Sequence, residues 1–509
     1  MAKTAAGEEA ARGFIRDLGL LDSVMIVAGS MIGSGIFIVS ANVARHVGSA
    51  GWLLVTWLVS GLLVAAAAVS YGELAAMMPR VGGQYVYLRE AYTPLVGFLY
   101  GWTFFLVIQT GTIAAVAVAF ARFLEVLLPG VSASAWIIRP IDLSPGYALS
   151  LSVQQLVAIV LIVFLSAVNT LGVRVGKLIQ NVFTSAKTLA LVALILLGLL
   201  VGRHEGAGTE NFAAPWTPQD IVTVTPDLLP VPPVAATEGG LALLIVLCVA
   251  MVGPLFSASA WNDVSFAAGE IRDPRRNLPI ALAAGVGLVS LLYVLANLAY
   301  LTTLPLAAIQ TAPEDRVATA ALQAILGGAG ASAMAVAIMV STFGCNNGLI
   351  LAGARVYYAM AKDGLFFSAT GRLNRWSVPA VGLGLQCVWA SLLVVLRTRT
   401  IGPDGAPQYG NLYSNLLEYV TFAVLLFYVI TIAGVFVLRR TRPEAERPYR
   451  AFGYPIVPLF YILGASLVVL VLLIYRTQTT WPGLLLVLTG VPAYFLWKHF
   501  GVPPDAPAL

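Results

Sequence analysis

The chain has 509 residues, of which 59% are hydrophobic and only 10% charged, with a mean hydropathy of +0.87. A soluble domain carries about 25% charged residues, so this composition excludes one and places the chain among integral membrane proteins. The net charge of +5 and pI near 9.0 would suit nucleic acid, but the basic residues sit in loops between apolar runs, which excludes that partner.

Residues 1–19 form a polar lead in which Glu8, Glu9 and Asp17 dilute any basic region and no A-x-A site follows, so no cleaved signal is expected. The first apolar run, 20–47, is long enough to cross a bilayer but is interrupted by Gly29-Ser-Met-Ile-Gly-Ser-Gly35. In lipid every backbone polar group is satisfied within the helix, so glycines clustered at mid-depth mark a break. Such a break persists only where it is buried in protein or lines a cavity, and its freed groups can then hold a ligand. Further runs follow at 52–78, 95–128, 151–170 and 178–201. Residues 203–240, rich in Pro, Thr and Gly, read as an external loop with room for a short interfacial helix. The sixth run, 241–268, carries a second break around Gly253-Pro-Leu-Phe-Ser-Ala-Ser-Ala-Trp-Asn262. Runs at 278–303, 322–360, 378–396, 412–438, 455–475 and 481–497 bring the expectation to about twelve helices, the third and eighth overlong.

Broken helices at matching places in two halves of a chain point to a transporter's substrate site. Counting five spans from each break divides the chain into 20–202 and 241–438, with two appended helices (439–499) and a tail (500–509). Five is odd, so the second unit runs through the membrane inverted. With both termini cytoplasmic, about 19 of the 29 Lys/Arg lie inside and about 7 outside, which sets the orientation. Cys248, Cys345 and Cys387 all fall in spans, so no disulfide-linked ancillary subunit is expected. No P-loop, metal-ligand spacing or nucleophile elbow occurs, so neither ATP, a metal, a cofactor nor enzyme chemistry is expected. An aqueous channel and a membrane enzyme or receptor remain as other classes; substrate accumulation or counterflow distinguishes a carrier from the latter.

Four stretches carry a family resemblance. They are Gly29-Ser-Met-Ile-Gly-Ser-Gly-Ile-Phe37; Tyr71-Gly-Glu-Leu-Ala-Ala-Met-Met-Pro-Arg-Val-Gly-Gly-Gln-Tyr-Val-Tyr-Leu-Arg-Glu-Ala-Tyr92; Phe256-Ser-Ala-Ser-Ala-Trp-Asn262 with Gly269-Glu-Ile-Arg-Asp-Pro-Arg-Arg-Asn-Leu-Pro279; and Ser341-Thr-Phe-Gly through Ala354-Arg-Val-Tyr-Tyr-Ala-Met-Ala-Lys-Asp-Gly364. The chain resembles the amino acid–polyamine–organocation superfamily, and within it the L-type amino acid transporter-like permeases. The resemblance implies an all-α polytopic protein of the LeuT type, a 5+5 inverted repeat with discontinuous helices 1 and 6. It also implies alternating access in the cell membrane and α-amino acids as substrates. Ser259-Ala260 stand before Trp261 where the family often has Gly-Gly or Asp-Gly, which narrows backbone approach there.

An α-amino acid carries a carboxylate and an ammonium on one carbon. The positive end of the first helix's outer half suits the carboxylate. The resemblance assigns it to the amides of Ser34 and Gly35, with Ile32 and Gly33 in the unwound turn. Carbonyls of Ile32, Phe256, Ser257 and Ser259 suit the ammonium, with Ala258 and Asn262 completing the pocket. The resemblance makes Phe256 a gate over the substrate. Lys187 sits mid-membrane, where an ammonium costs about 2.5–3.5 kcal/mol on insertion scales. The resemblance puts it where sodium-coupled relatives hold Na⁺, bridging Gly29 and Ser341; burial would also let it cycle a proton. Gln109, Thr110, Thr112, Cys345, Asn346, Tyr419 and Phe422 are further pocket candidates. Asp263, Glu270, Glu73 and Arg355 fall near span ends and are assigned structural roles, with Asp263 able to attract a cationic side chain if it faces the pocket. The expected substrates are small or medium neutral L-amino acids, moved by sodium-independent exchange or proton-coupled uptake. Cationic amino acids and other small amines are the alternative.

Overall fold

Leucine-, valine- and alanine-rich runs fold as helices here because a helix bonds its own backbone internally. A computed structural model describes residues 16–144, 146–202, 207–218, 239–401, 407–409 and 412–500. Among these residues nine helices are long and apolar enough to cross a membrane, and Leu20–Met31 with Gly35–Val47 makes one further span, bent by 41°. Two shorter apolar helices, Val153–Asn169 and Ala380–Val395, stand beside them. The chain is an all-α polytopic membrane protein with one small sheet.

In order, α1 (Leu20–Met31), α2 (Gly35–Val47), α3 (Ala50–Met77), α4 (Gln84–Ala91) and α5 (Pro94–Thr103) lead through a π-helical turn, Phe104–Ile108, into α6 (Gln109–Leu127). Strands β1 (Trp136–Ser144) and β2 (Tyr147–Ser152) precede α7 (Val153–Asn169), α8 (Val173–Leu200) and the short α9 (Ala207–Ala213). The sixth run forms α10 (Gly240–Ala250) and α11 (Val252–Ser257), unwinds, and resumes as α12 (Asp263–Phe266). It is followed by α13 (Pro274–Thr303), α14 (Leu306–Gln310), α15 (Val317–Lys362) and α16 (Ala380–Val395). Finally come β3 (Leu396–Ile401), β4 (Pro407–Tyr409), α17 (Leu412–Thr441), α18 (Ile456–Tyr475) and α19 (Thr477–Phe500). Helix α13 lies along α3, and α15 packs on both α6 and α8, so helices of the two halves interleave around the breaks.

Several expectations are corrected in detail. The second break is confined to 258–262, because Pro254 falls in the first turn of α11, where its missing N–H is not needed. The overlong eighth run is one 46-residue helix interrupted at Gly327, whose φ is 67°. Residues between the third and fourth and between the ninth and tenth apolar runs pair into an antiparallel sheet of order β1-β2-β3-β4, with Ile141 opposite Leu149 and Leu149 opposite Leu396. These strands are too short to register as spans and too far apart in sequence to reveal their pairing. The polar lead is not all free of the bundle. Asp17 and Leu18 donate backbone hydrogen bonds to Glu270 O, and Arg272 N returns one to Leu18 O. Residues 1–15 and 501–509, and most of 203–240, lie outside the described residues.

Ion pairs gather at the two ends of the bundle. One end holds Asp17–Arg272, Arg89–Asp363, Arg442–Glu90, Arg275–Glu446 and Arg439–Glu73, and is called the basic face below. The sheet end holds Arg45–Asp315 and Arg316–Glu125.

Candidate substrate site

The two breaks touch. A Cβ built on Gly35 would lie 2.0 Å from Ser257 Oγ and 2.9 Å from Ser257 Cα, so only hydrogen fits where α2 begins against the end of α11. The hydroxyl of Tyr293 on α13 shares its proton between the carbonyls of Met31, at 2.8 Å, and Ser257, at 3.0 Å. One side chain thus spans both breaks. Sequence reading missed Tyr293; a tyrosine in the middle of an apolar run, whose hydroxyl must find a partner, was the available signal.

Around the first break, α1 stops at Met31, Gly33 N bonds Met31 O at 2.8 Å, and α2 starts at Gly35 with Ser34 as its cap. The first-turn amides of α2 therefore point into the break, at the positive end of the helix. Ser341 Oγ donates to Ile32 O at 3.1 Å and Gly33 O at 3.2 Å. Cys345 Sγ lies 3.2 Å from Ser30 O, and a Cβ on Gly33 would meet that sulfur at 3.1 Å. Lys187, fully buried on α8, donates to Gly29 O. A Cβ on Gly29 would sit 2.0 Å from Gln180 Nε2 and 2.4 Å from Thr184 Oγ1, so α8 closes directly onto the glycine. Lys187 and Ser341 thus reach different carbonyls of one break, Gly29 on one side and Ile32 with Gly33 on the other, and do not form the expected bond to one another. The hydroxyl's single proton is taken by carbonyls that the unwinding has freed.

At the second break Ala260 has a φ of 62°, the left-handed region, which costs an L-residue roughly 1–2 kcal/mol. The Ser257 hydroxyl donates to Gly253 O at 2.8 Å and that of Ser259 to Phe256 O at 2.6 Å. Phe256 and Ala258 are buried beside them. Trp261 is enclosed, edge-on to Tyr71 at 5.1 Å and tilted against Tyr428 at 5.0 Å. Asn262 donates to Gln84 Oε1 at 2.8 Å and accepts from the Tyr428 hydroxyl at 2.6 Å, tying α4 and α17 to the break.

A central chamber opens beside this segment, lined among others by Gln84, Gln109, Thr112, Ser259, Asn262 and Asp263. Gln109 and Thr112 both line this chamber, and Gln109 Nε2 also donates to Leu349 O at 2.5 Å. Thr110 turns to the π-helical turn, donating to Phe105 O at 2.7 Å. Asn346 is fully buried without lining the chamber, and neither of its amide atoms has a hydrogen-bond partner. Tyr419 lines a separate apolar cavity under the sheet, with its hydroxyl 3.3 Å from that of Tyr147. Phe422 packs in the core. Glu270 and Arg355 pair at 2.6 Å in full burial, and Glu73 is held by Arg439 and Arg447. Among the described residues no group of three or more His, Cys, Asp or Glu is placed to hold a metal.

The amino acid permease family profile matches residues 18–494. Large neutral amino acids transporter small subunit 2 of Mus musculus is 30% identical over 499 residues, covering 95% of this chain and 82% of that protein. The b(0,+)-type amino acid transporter 1 of Homo sapiens is 29% identical, over 95% of this chain and 88% of its own. Asc-type amino acid transporter 1 of Mus musculus is 28% identical, over 94% and 81%. The chain belongs to the amino acid permease family and is a transporter of amino acids rather than an enzyme.

Proposed function

We propose that this chain is a sodium-independent carrier of neutral L-amino acids in the cell membrane, working by alternating access with both termini cytoplasmic. Its twelve spans would form a LeuT-type pair of inverted five-helix units, 20–202 and 241–438, with the helices of 439–499 appended. The observation that carries the reading is the contact of Gly35 with Ser257, which sets the start of one half-helix against the end of another. The substrate carboxylate takes the first-turn amides at Ser34 and Gly35, and its ammonium takes the carbonyl end of α11. The Phe256 carbonyl already accepts from both the hydroxyl and the amide of Ser259, whereas those of Ile32 and Ser257 each accept from one hydroxyl, of Ser341 and Tyr293. A carbonyl has a second lone pair for an ammonium. Phe256 gates the pocket, and the Lys187 ammonium on Gly29 stands in for a sodium ion.

The concentration of Lys/Arg at the basic face supports the orientation. The three cysteines are free thiols within α10, α15 and α16, so no disulfide-linked ancillary subunit is expected. The names of the relatives span neutral, b(0,+) and Asc types; the neutral reading rests on Ser257, Ala258 and Ser259 at the break. Counterflow in proteoliposomes with a panel of radiolabelled L-amino acids tests it. Neutral substrates should exchange equally well when choline replaces Na⁺. Strict Na⁺ dependence, or preference for arginine and lysine, would overturn the assignment.

A further inference from the structure

Asp263 is the first residue of α12, immediately after the unwound 258–262 segment, and is 2% exposed. Its Oδ2 has no hydrogen-bond partner, Gln109 of α6 is within hydrogen-bonding reach of its carboxyl group, and no ion pair among the described residues includes it. It lines two cavities at once. One is the central chamber beside the break, of about 20 Å³. The other, of about 30 Å³, lies toward the basic face between α1, α8, α12 and α15, with Asp22, Gln180, Glu270 and Arg355 in its walls. Each is wide enough for a water but not for an amino acid side chain.

Among charged and titratable neighbours, Asp22 stands across the inner cavity on α1, and Glu270 is occupied by Arg355 of α15. Tyr100 of α5, Tyr357 and Cys345 of α15 and Tyr428 of α17 are within electrostatic reach. Lys187 is spent on Gly29. None of these supplies Asp263 with a counter-ion. An ionised carboxylate so placed costs several kcal/mol unless water or a cation reaches it.

We propose that Asp263 is the proton-carrying group of this carrier. It binds a proton on Oδ2 from the central chamber in one facing state and releases it through the inner cavity to the basic face in the other. The adjoining unwound segment is the hinge that changes which cavity wets it. The proposal rests on the amino acid transport reading and adds the coupling ion and its site.

The test uses the full chain in proteoliposomes loaded with a pH dye, with membrane potential clamped at zero. Counterflow is first run with each of the twenty L-amino acids; silence with all of them overturns the transport reading and the proposal with it. For the neutral amino acid that exchanges best, an acid-outside gradient of one pH unit should drive about tenfold accumulation at one proton per substrate, with acidification inside. Asp263→Asn should bring accumulation to about onefold, and Asp263→Glu, which keeps the titratable group, should retain it. Counterflow run alongside reports folded carriers. If Asp263→Asn is silent in counterflow too, Asp263→Glu decides: gradient-driven accumulation supports the proposal and its absence overturns it. Accumulation in Asp263→Asn equal to the parent, or a parent indifferent to pH, overturns it with transport intact. So does a loss confined to lysine and arginine, which would make Asp263 a side-chain subsite.

Discussion

Replacing Lys187 by methionine keeps most of the side-chain volume and removes one charge and one hydrogen bond, that to Gly29 O. Two terms then oppose. A buried ammonium in mid-membrane costs about 2.5–3.5 kcal/mol, so removing it favours the folded bundle. The Gly29 carbonyl, enclosed by Gln180 and Thr184 of α8, loses its donor, at roughly 1–3 kcal/mol. The terms are of one size, so Lys187→Met should insert and fold. They do not act on the same equilibrium, however: the lost bond fastens α8 to α1 next to the break, and alternating access requires that junction to differ between facing states. A bias of 1–3 kcal/mol corresponds to about 5–150-fold in the ratio of those states. The assay is counterflow with thiol labelling from each side on single-cysteine variants in a background of Cys248, Cys345 and Cys387 replaced by Ala. Transport should fall at least about fivefold, with labelling weighted to one face. Ser341 should keep its bonds to Ile32 and Gly33, since it does not touch the lysine. Parent-level transport with unchanged labelling would refute the reasoning.

Gly35→Val should abolish transport, because its Cβ would lie 2.9 Å from the Ser257 backbone; uptake above a tenth of the parent would count against the contact between the breaks. Methyl esters of transported amino acids should fail to compete in counterflow, since the helix-end amides lose a charged acceptor. Ala260→Gly should raise the midpoint of thermal unfolding in detergent by relieving the φ of 62°, worth about 1 kcal/mol; a lowered midpoint would contradict the strain. Arg355→Leu should destabilise strongly, by about 3–5 kcal/mol, and Glu270→Gln in the same chain should restore much of it, because the single change strands a buried carboxylate.

Local chemistry made the spans legible, since apolar length and the demand for internal backbone bonding leave one solution for each run. The first break was readable for the same reason, being written in three glycines between 29 and 35. The second was readable as a place but not as a boundary, because Pro254 is harmless in a first helical turn and only the φ of Ala260 shows where the helix ends. The burial of Lys187 and its Gly29 partner followed from depth and the resemblance together. What depended on three-dimensional packing was the partner of each buried polar group. Ser341 bonds the break rather than Lys187, Glu270 pairs with Arg355, and Tyr293 joins both breaks. The strands likewise pair across more than two hundred residues of chain, Leu149 with Leu396. Periodicity reports a residue's depth and face, but a hydrogen-bond partner is set by distance, and distances between distant segments exist only once the helices have packed.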